Sequence, residues 1–471
     1  MKLYNTLTRQ IEVLRPQHSP EVTVYTCGPT VYYYPHIGNW FTFIRYDLVV
    51  RTLQASGLKV RWVMNITDVG HLVSDADDGE DKLEKGARRE GKTAWQVADF
   101  YGDYFVKGLA RLNIRRPDYL PKATDHIAEQ IQLVQQLEAK GYTYVIDDGV
   151  YYDTSKFPHY ADFARLDVDV QQAGARVEFN PQKRQMTDFA LWKFSPKDHQ
   201  RDMEWDSPWG KGFPGWHLEC SAMSMKYLGA TIDLHAGGID HIPVHHTNEI
   251  AQSQAVTGRP LANYWMHANH VTVDNEKISK SLGNTISLED IEAKGLSLMA
   301  FRLHVLESHY RSQSKFSWQS LRAANQRLKA LEAMADLIWQ PLGSSAKSTN
   351  FGDVFKRILG DMQNDLNTPA VLASLSQLQT QLEESLLSPE EIKAFRQFLE
   401  SIDQLLGLQL ASRPDISEAQ KQLIKQRTAA RAAEDWPTSD AARHQLADQG
   451  IGLRDTPQGT VWYRTDNPHT T

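Results

Sequence analysis

Glu21-Val22-Thr23-Val24-Tyr25-Thr26-Cys27 is an alternating, β-branched run and predicts a strand. Ile37–Ala55 follows as a helix, with Phe41, Ile44, Leu48 and Leu53 near helical spacing and Gly57 just past its end. Leu58–Ile66 predicts a second strand, closing on Asn65-Ile66-Thr67-Asp68. Strand, helix, strand at this spacing is a βαβ unit, which implies a parallel sheet. Ligands of such sheets bind beyond the carboxyl ends of the strands. Cys27 and Thr67 both fall there.

Outward from that unit, Ser74–Lys92 is dense in charge of both signs and reads as a solvated insertion. Thr93–Leu112 and Asp125–Lys140 are expected to be helical, and Tyr142–Tyr152 to form a hairpin around Asp147-Asp148-Gly149. From about Pro117 to Pro214 the βαβ rhythm is lost, as in a domain inserted between two halves of a parallel sheet. The rhythm resumes with a helix after Trp216, a strand at Thr231–Leu234, a helix at Val244–Gln254 and a strand at Trp265–Val273. Beyond Phe316 four helical stretches joined by short connections predict a bundle. A tail from about Pro414 holds two more helices and strand-like pieces at Ile451–Arg454 and Thr460–Tyr463.

The chain of 471 residues is 41% hydrophobic, enough for ordinary cores, and its net charge of −7 gives no global basic field for nucleic acid. RNA binding would need a local basic face. Two cysteines in such a length argue against a disulfide scaffold and for a reducing compartment. The N-terminus lacks the apolar core of a signal peptide, and no apolar run approaches a membrane span. The expectation is a cytoplasmic protein with no membrane contact.

Three motifs carry chemistry. His36-Ile37-Gly38-Asn39 opens a helix just after a strand, where unpaired N–H groups suit phosphate and Gly38 permits close approach; alone, it is also an ordinary capped turn. Lys277-Ile278-Ser279-Lys280-Ser281 follows a turn-prone stretch and offers mobile charge to a triphosphate; alone, it is also a solvated basic loop. Cys27, Cys220, His245 and Glu249 would make a sulfur, sulfur, nitrogen and oxygen set that zinc accepts. His245 and Glu249 are four apart and share a helix face, with His246 expected on a different one. The competing reading is two inert buried cysteines and a core histidine.

Taken in order, these pieces resemble the cysteinyl-tRNA synthetase family of class I aminoacyl-tRNA synthetases. The first motif is similar to that family's HIGH signature and the second to its KMSKS signature. Cys27-Gly28-Pro29-Thr30-Val31-Tyr32, Asn65-Ile66-Thr67-Asp68, Pro214–Cys220, the Gly237-Gly238 turn and Asp274–Asn284 extend the likeness. It runs from Lys2 to about Trp462.

The resemblance implies an α/β fold: a Rossmann-like parallel-sheet catalytic domain with an inserted domain, a helical bundle and a small C-terminal α+β anticodon-binding module. It implies boundaries at residues 1–116 and 215–263 for the two catalytic halves and 117–214 for the inserted acceptor-end domain. A stem-contact region with the lysine loop would occupy 264–316, the bundle 317–410 and the anticodon module 411–471. Zinc, one per chain, would be held by Cys27, Cys220, His245 and Glu249, and the substrate L-cysteine would meet Thr67, Trp216, His235 and Asp240. His36, Gly38, Asn39 and Lys280 would bind ATP with its magnesium, and His36, Asn39, Lys277 and Lys280 would serve catalysis. Arg431, Trp436, Asp440 and Asp455 would touch the anticodon of tRNA-Cys, and the family habit is a monomer. Tyr33, Trp40-Phe41 and Thr247 depart from the family pattern around the site, and Ile278 replaces a methionine.

Ligases that join cysteine to an amino sugar share the catalytic half but lack the anticodon module, which the residues from Arg431 to Trp462 supply here. A non-catalytic zinc- or RNA-binding paralogue would have no need of both signature motifs.

Overall fold

The computed structural model describes residues 1–70, 81–166, 180–197, 200–278, 283–342 and 349–465. By contacts the chain divides into two units, residues 1–298 with 308–317 and 363–366, and residues 299–307 with 318–362 and 367–471.

The first unit opens on an antiparallel hairpin, β1 (Lys2–Asn5) and β2 (Gln10–Val13), which the sequence reading had not distinguished from loop. β3 (Glu21–Thr26), α1 (Ile37–Ala55) and β4 (Lys59–Met64) form the expected βαβ unit with β3 and β4 parallel. Most of α1 is buried, so its apolar positions do not fall into one stripe. Trp40 lies flat on Phe105 of the next long helix, 5.6 Å between ring centres, and Gly108 leaves room for its edge. Trp40 and Phe41 are therefore core side chains, and α1 spends them on packing.

The stretch expected as a solvated insertion contains a helix. Its residues 74–80 lie outside the described residues. α2 (Lys82–Glu90) then starts on Asp81, whose carboxylate accepts the N–H groups of Leu83 and Glu84, and it buries Leu83 and Ala87. Charge density hid a helix whose few apolar residues sit on one side. α3 (Ala94–Arg111) begins with a Thr93–Gln96 capping box.

After α4 (Ile127–Ala139) comes the inserted antiparallel sheet: β5 (Thr143–Ile146), β6 (Gly149–Tyr152), β7 (Phe189–Phe194) and β8 (Gly212–Pro214), in that order across the sheet. α5 (Trp216–Leu228), β9 (Ile232–Gly238), α6 (Thr247–Thr257) and β10 (Ala262–Ala268) return the chain to the parallel sheet, whose order is β10-β9-β3-β4. The two βαβ halves thus run outward in opposite directions from the central pair β3 and β9. That divergence leaves a crevice at the carboxyl ends of the central strands, where open α/β sheets bind ligands.

β9 runs four residues beyond the expected Leu234. The pair Gly237-Gly238 reads as a turn but is strand: a Cβ on Gly237 would sit 2.4 Å from the His246 ring, so glycine there admits the imidazoles. The strand expected at Trp265–Val273 is two strands, β10 and β11 (Val271–Val273), interrupted at Asn269-His270, where Asn269 N–H turns to the carbonyl of Tyr310. β12 (Glu276–Lys277) pairs with β11, α7 (Leu288–Ala293) follows, and β13 (Ser314–Phe316) lies parallel to β11.

The second unit is helical: α8 (Leu298–Leu306), α9 (Trp318–Ala335), α10 (Phe351–Gln363), α11 (Thr368–Ser385) and α12 (Ile392–Leu406). Its tail pairs α13 (Glu418–Ala432) with α14 (Trp436–Asp448) and ends in the hairpin β14 (Ile451–Thr456) and β15 (Gly459–Arg464). Buried Asp336 anchors that tail by accepting from both Arg413 and Arg464. No described helix is long and apolar enough to cross a membrane.

Candidate active site and metal centre

A cavity of about 640 Å³ opens at the carboxyl ends of the central strands. Cys27, His36, Gly38, Asn39, Trp216, Asp240 and Lys277 all line it. Chain segments far apart in sequence meet here because β3 and β9 are neighbours and each ends at the same crevice.

His36 is the N-cap of α1. Its Nδ1 accepts the N–H of Gly38 at 3.0 Å, and Asn39 Oδ1 accepts the backbone N–H of His36 at 3.0 Å. With Nδ1 an acceptor, the neutral ring carries its proton on Nε2. A Cβ on Gly38 would lie 2.8 Å from the His36 ring and 3.2 Å from Ile278, so any larger residue would separate the two motifs. Lys277 is exposed. Lys280 lies outside the described residues.

Beside the cavity, Cys27, Cys220, His245 and Glu249 bring two sulfurs, a ring nitrogen and a carboxylate oxygen within 4.8 Å of one another, all buried. Cys27 follows β3, Cys220 sits on α5, and Glu249 is in the first turn of α6. His245 Nε2 is 3.0 Å from Glu249 Oε1, and Cys27 Sγ is 4.0 Å from the same oxygen. The segment before α6, Ile242–His246, is a π turn. That turn overturns the expectation for His246. His246 joins the cluster from the end of that turn, with Nε2 3.2 Å from Cys27 Sγ, and Cys27, His235, His246 and Glu249 form an overlapping donor set.

Charge in the cluster favours a cation. Burial opposes ionisation of Glu249, but His235 and His245 hold its carboxyl well below the usual range. Burial and Cys220 push the Cys27 thiol up, while Cys220, hydrogen-bonded to Cys27 and facing His245, is brought down to about 7. Burial and the surrounding imidazoles keep His246 neutral.

The four residues expected to contact an amino acid divide into two layers. Trp216 and Asp240 line the cavity, and the Trp216 ring lies 5.2 Å from that of His245. His235 and Thr67 are buried behind. His235 Nε2 meets Glu249 Oε2 at 2.8 Å, and Thr67 Oγ1 accepts from Asn65 Nδ2 at 3.0 Å.

Sequence reasoning missed three histidines. His217 Nδ1 lies 2.9 Å from His245 Nδ1, and His246 Nδ1 lies 2.8 Å from His267 Nε2, whose Nδ1 reaches Thr6. The His245-His246 doublet was the available signal for the second of these. His217 and His267 sit at strand and helix positions with no distinguishing spacing. Among the departures, Thr247 donates to the carbonyl of Ile242 and steadies the π turn, and Tyr33 lies under the Arg89 guanidinium.

In the tail, Arg431 lies 5.9 Å over the ring of Trp436, which is 54% exposed. The indole is therefore a surface side chain. Arg431 is also 3.5 Å from Asp455, and Asp440 is exposed. Both Asp455 oxygens accept from buried Arg427 at 2.7 Å.

Residues 13–326 match the family model for the tRNA synthetases class I (C) catalytic domain, 359–411 the DALR domain, and 413–463 the Cysteinyl-tRNA ligase anticodon binding domain. Cysteine--tRNA ligase 1 of Burkholderia lata is 47% identical over 464 residues, covering 98% of this chain and 96% of the relative. Cysteine--tRNA ligase of Treponema denticola is 40% identical over 494 residues, covering 98% of this chain and 99% of the relative. Among solved structures, Mycobacterium tuberculosis methionyl-tRNA synthetase in complex with methionyl-adenylate has a TM-score of 0.58 at 15% identity. That match covers 83% of this chain and 92% of the other and shows likeness of fold. A catalytic-domain match over two thirds of the chain and near full-length relatives at this identity agree, and the chain belongs to the cysteine--tRNA ligase family of class I tRNA synthetases.

Proposed function

We propose that this protein activates L-cysteine with ATP and transfers it to the 3′-terminal adenosine of tRNA-Cys. The observation that carries this reading is the convergence of Cys27, Cys220, His245 and Glu249 beside a cavity that the His36–Asn39 and Lys277 segments also line. Two thiols, an imidazole and a carboxylate around a cation-favouring centre fit zinc, and these four residues would hold it. Zinc bound there supplies a partner for a thiolate, for which serine's hydroxyl is a far poorer substitute.

The chain's own residues supply orientation and charge. His235 holds the second Glu249 oxygen and so fixes the carboxylate, and Trp216 and Asp240 bound the space for the amino acid. His36, with its ring proton on Nε2, and Asn39 would donate to ATP phosphate oxygens beside the start of α1. Lys277 and Lys280 would neutralise charge that develops as pyrophosphate leaves, alongside the magnesium that accompanies ATP. Attack of the cysteine carboxylate on the α-phosphorus needs no protein nucleophile, so positioning and charge stabilisation can carry it. The 2′-hydroxyl of the terminal adenosine then takes the aminoacyl group. Arg431, Trp436, Asp440 and Asp455 would read the anticodon, and the protein would act as a cytoplasmic monomer.

The test is cysteine-dependent exchange of pyrophosphate into ATP, followed by charging of tRNA-Cys. The purified protein should carry about one zinc per chain. Cys220→Ser should lower zinc content and exchange together. Full exchange by metal-stripped protein would sink the reading.

A further inference from the structure

The cavity wall continues outward as an aromatic surface. Tyr32 lines the cavity, and Tyr33 and Tyr34 follow it in the chain. The Tyr34 ring, 39% exposed, meets Phe100, Tyr101 and Tyr104 edge-on at 6.2, 5.0 and 4.8 Å. Phe100, 44% exposed, lies four residues before Tyr104 on α3, so the two share a face. Two cations lie among these rings: Arg89 Cζ is 4.6 Å from the centre of Tyr33, and Lys92 Nζ is 4.6 Å from the centre of Phe100, each over one face. From Leu83 to Lys92 there are four basic residues and two acidic ones, on a chain whose net charge is −7. Arg89 and Lys92 both pair with Glu90, at 2.8 and 3.2 Å. Such exposed pairs are worth little net, so phosphate can replace them.

Partly exposed aromatic rings interleaved with cations are what single-stranded nucleic acid binds: bases stack and phosphates meet the charge. Continuity with the cavity selects the occupant. A tRNA whose terminal adenosine enters that cavity must lay its preceding unpaired nucleotides on the surface leading to it. We propose that Tyr34 and Phe100 form the platform on which the unpaired 3′ nucleotides of tRNA stack, with Arg89 and Lys92 taking backbone phosphates. The inference rests on the cysteine–tRNA ligase reading.

The test uses the full-length protein, tRNA-Cys, and tRNA-Cys trimmed of its unpaired 3′ nucleotides. Phe100→Ala and Phe100→Leu should each weaken binding of intact tRNA about tenfold. Phe100→Tyr should restore it, because a ring returns where Leu supplies only bulk. Trimmed tRNA should bind the unmodified protein more weakly and be indifferent to all three substitutions. Cysteine-dependent pyrophosphate exchange should stay unchanged throughout. Equal loss with both RNAs would place the contact elsewhere on the tRNA, and loss with neither would remove RNA from this face. A change in sedimentation alone would make it an interface between copies of the chain. Each of these overturns the proposal. An unmodified protein that exchanged no pyrophosphate with cysteine would instead overturn the enzymatic reading, and the two RNAs would still decide whether the platform exists.

Discussion

Asp68 is a carboxylate held where charge is costly. It is 3% exposed and accepts the backbone N–H of Thr124 at 2.9 Å and its hydroxyl at 2.7 Å. Burial pushes its pKa up to about 6, against the lowering effect of the Thr124 bonds. An unfolded aspartate titrates near 3.9. Because the folded value is the higher one, the group's contribution to stability is complete below about pH 4 and is lost as pH rises through about 6. Roughly 3 kcal/mol is withdrawn in all, at about 1.4 kcal/mol per pKa unit, and most of it above pH 4. Asp68→Asn keeps the shape and cannot ionise. Its stability relative to the unmodified protein should therefore improve by about 2 kcal/mol between pH 4 and pH 7.5, read by urea unfolding at both. A difference that does not move with pH would mean the carboxylate stays ionised across the range.

At the scale of elements, irregular pieces set the chemistry. His246 closes the π turn at Ile242–His246, three residues before Glu249, and meets Cys27 there. In the tail, α13 and the β14–β15 hairpin are joined by Arg427, 3% exposed, whose two nitrogens hold Asp455 and keep its carboxyl well below the usual range. Arg427 is scaffold and Trp436 is surface, and their variants should separate accordingly. Arg427→Ala strands Asp455 and should destabilise the second unit by about 1 kcal/mol, discounted for the exposure of its partner. Trp436→Ala should change stability by less than about 0.5 kcal/mol, because the ring is exposed. It should nonetheless weaken charging about tenfold by removing a stacking face, while leaving pyrophosphate exchange intact. The exposed Lys425, Arg431 and Arg443 would supply the local charge for RNA. Loss of exchange in the Trp436 variant, or charging that ignores changes to the anticodon, would remove these residues from anticodon reading.

At the scale of the whole molecule, what was legible in the sequence was what short-range pattern encodes. β3, α1 and β4 stand where alternation, helical spacing and Gly57 placed them, because α1 closes its own backbone bonds and β3 finds β4 just across that helix. The continuation of β9 through Gly237-Gly238 and the helix within the charged stretch were hidden, since tertiary packing outweighs local preference at both. Convergence of the cluster was the least legible feature. Cys27 and Glu249 are separated by 222 residues, and no local spacing reports that β3 and β9 are neighbours; only the family resemblance pointed to it. That long closure has a thermodynamic consequence. All four candidate ligands lie in the first unit, on segments that only the folded sheet brings together, and the second unit contributes none. A metal that binds only the folded first unit stabilises it by mass action, about 4 kcal/mol when free metal is 1,000 times its Kd. A scanning calorimetry trace should accordingly resolve two transitions. Chelation should lower only one of them, by roughly 6 °C, since a unit of about 300 residues shifts by about 1.5 °C per kcal/mol. Restoring zinc should return it, and Glu249→Gln should reduce the zinc-dependent shift. If chelation moved both transitions equally, or neither, the cluster would not be a metal centre that ties the first unit together.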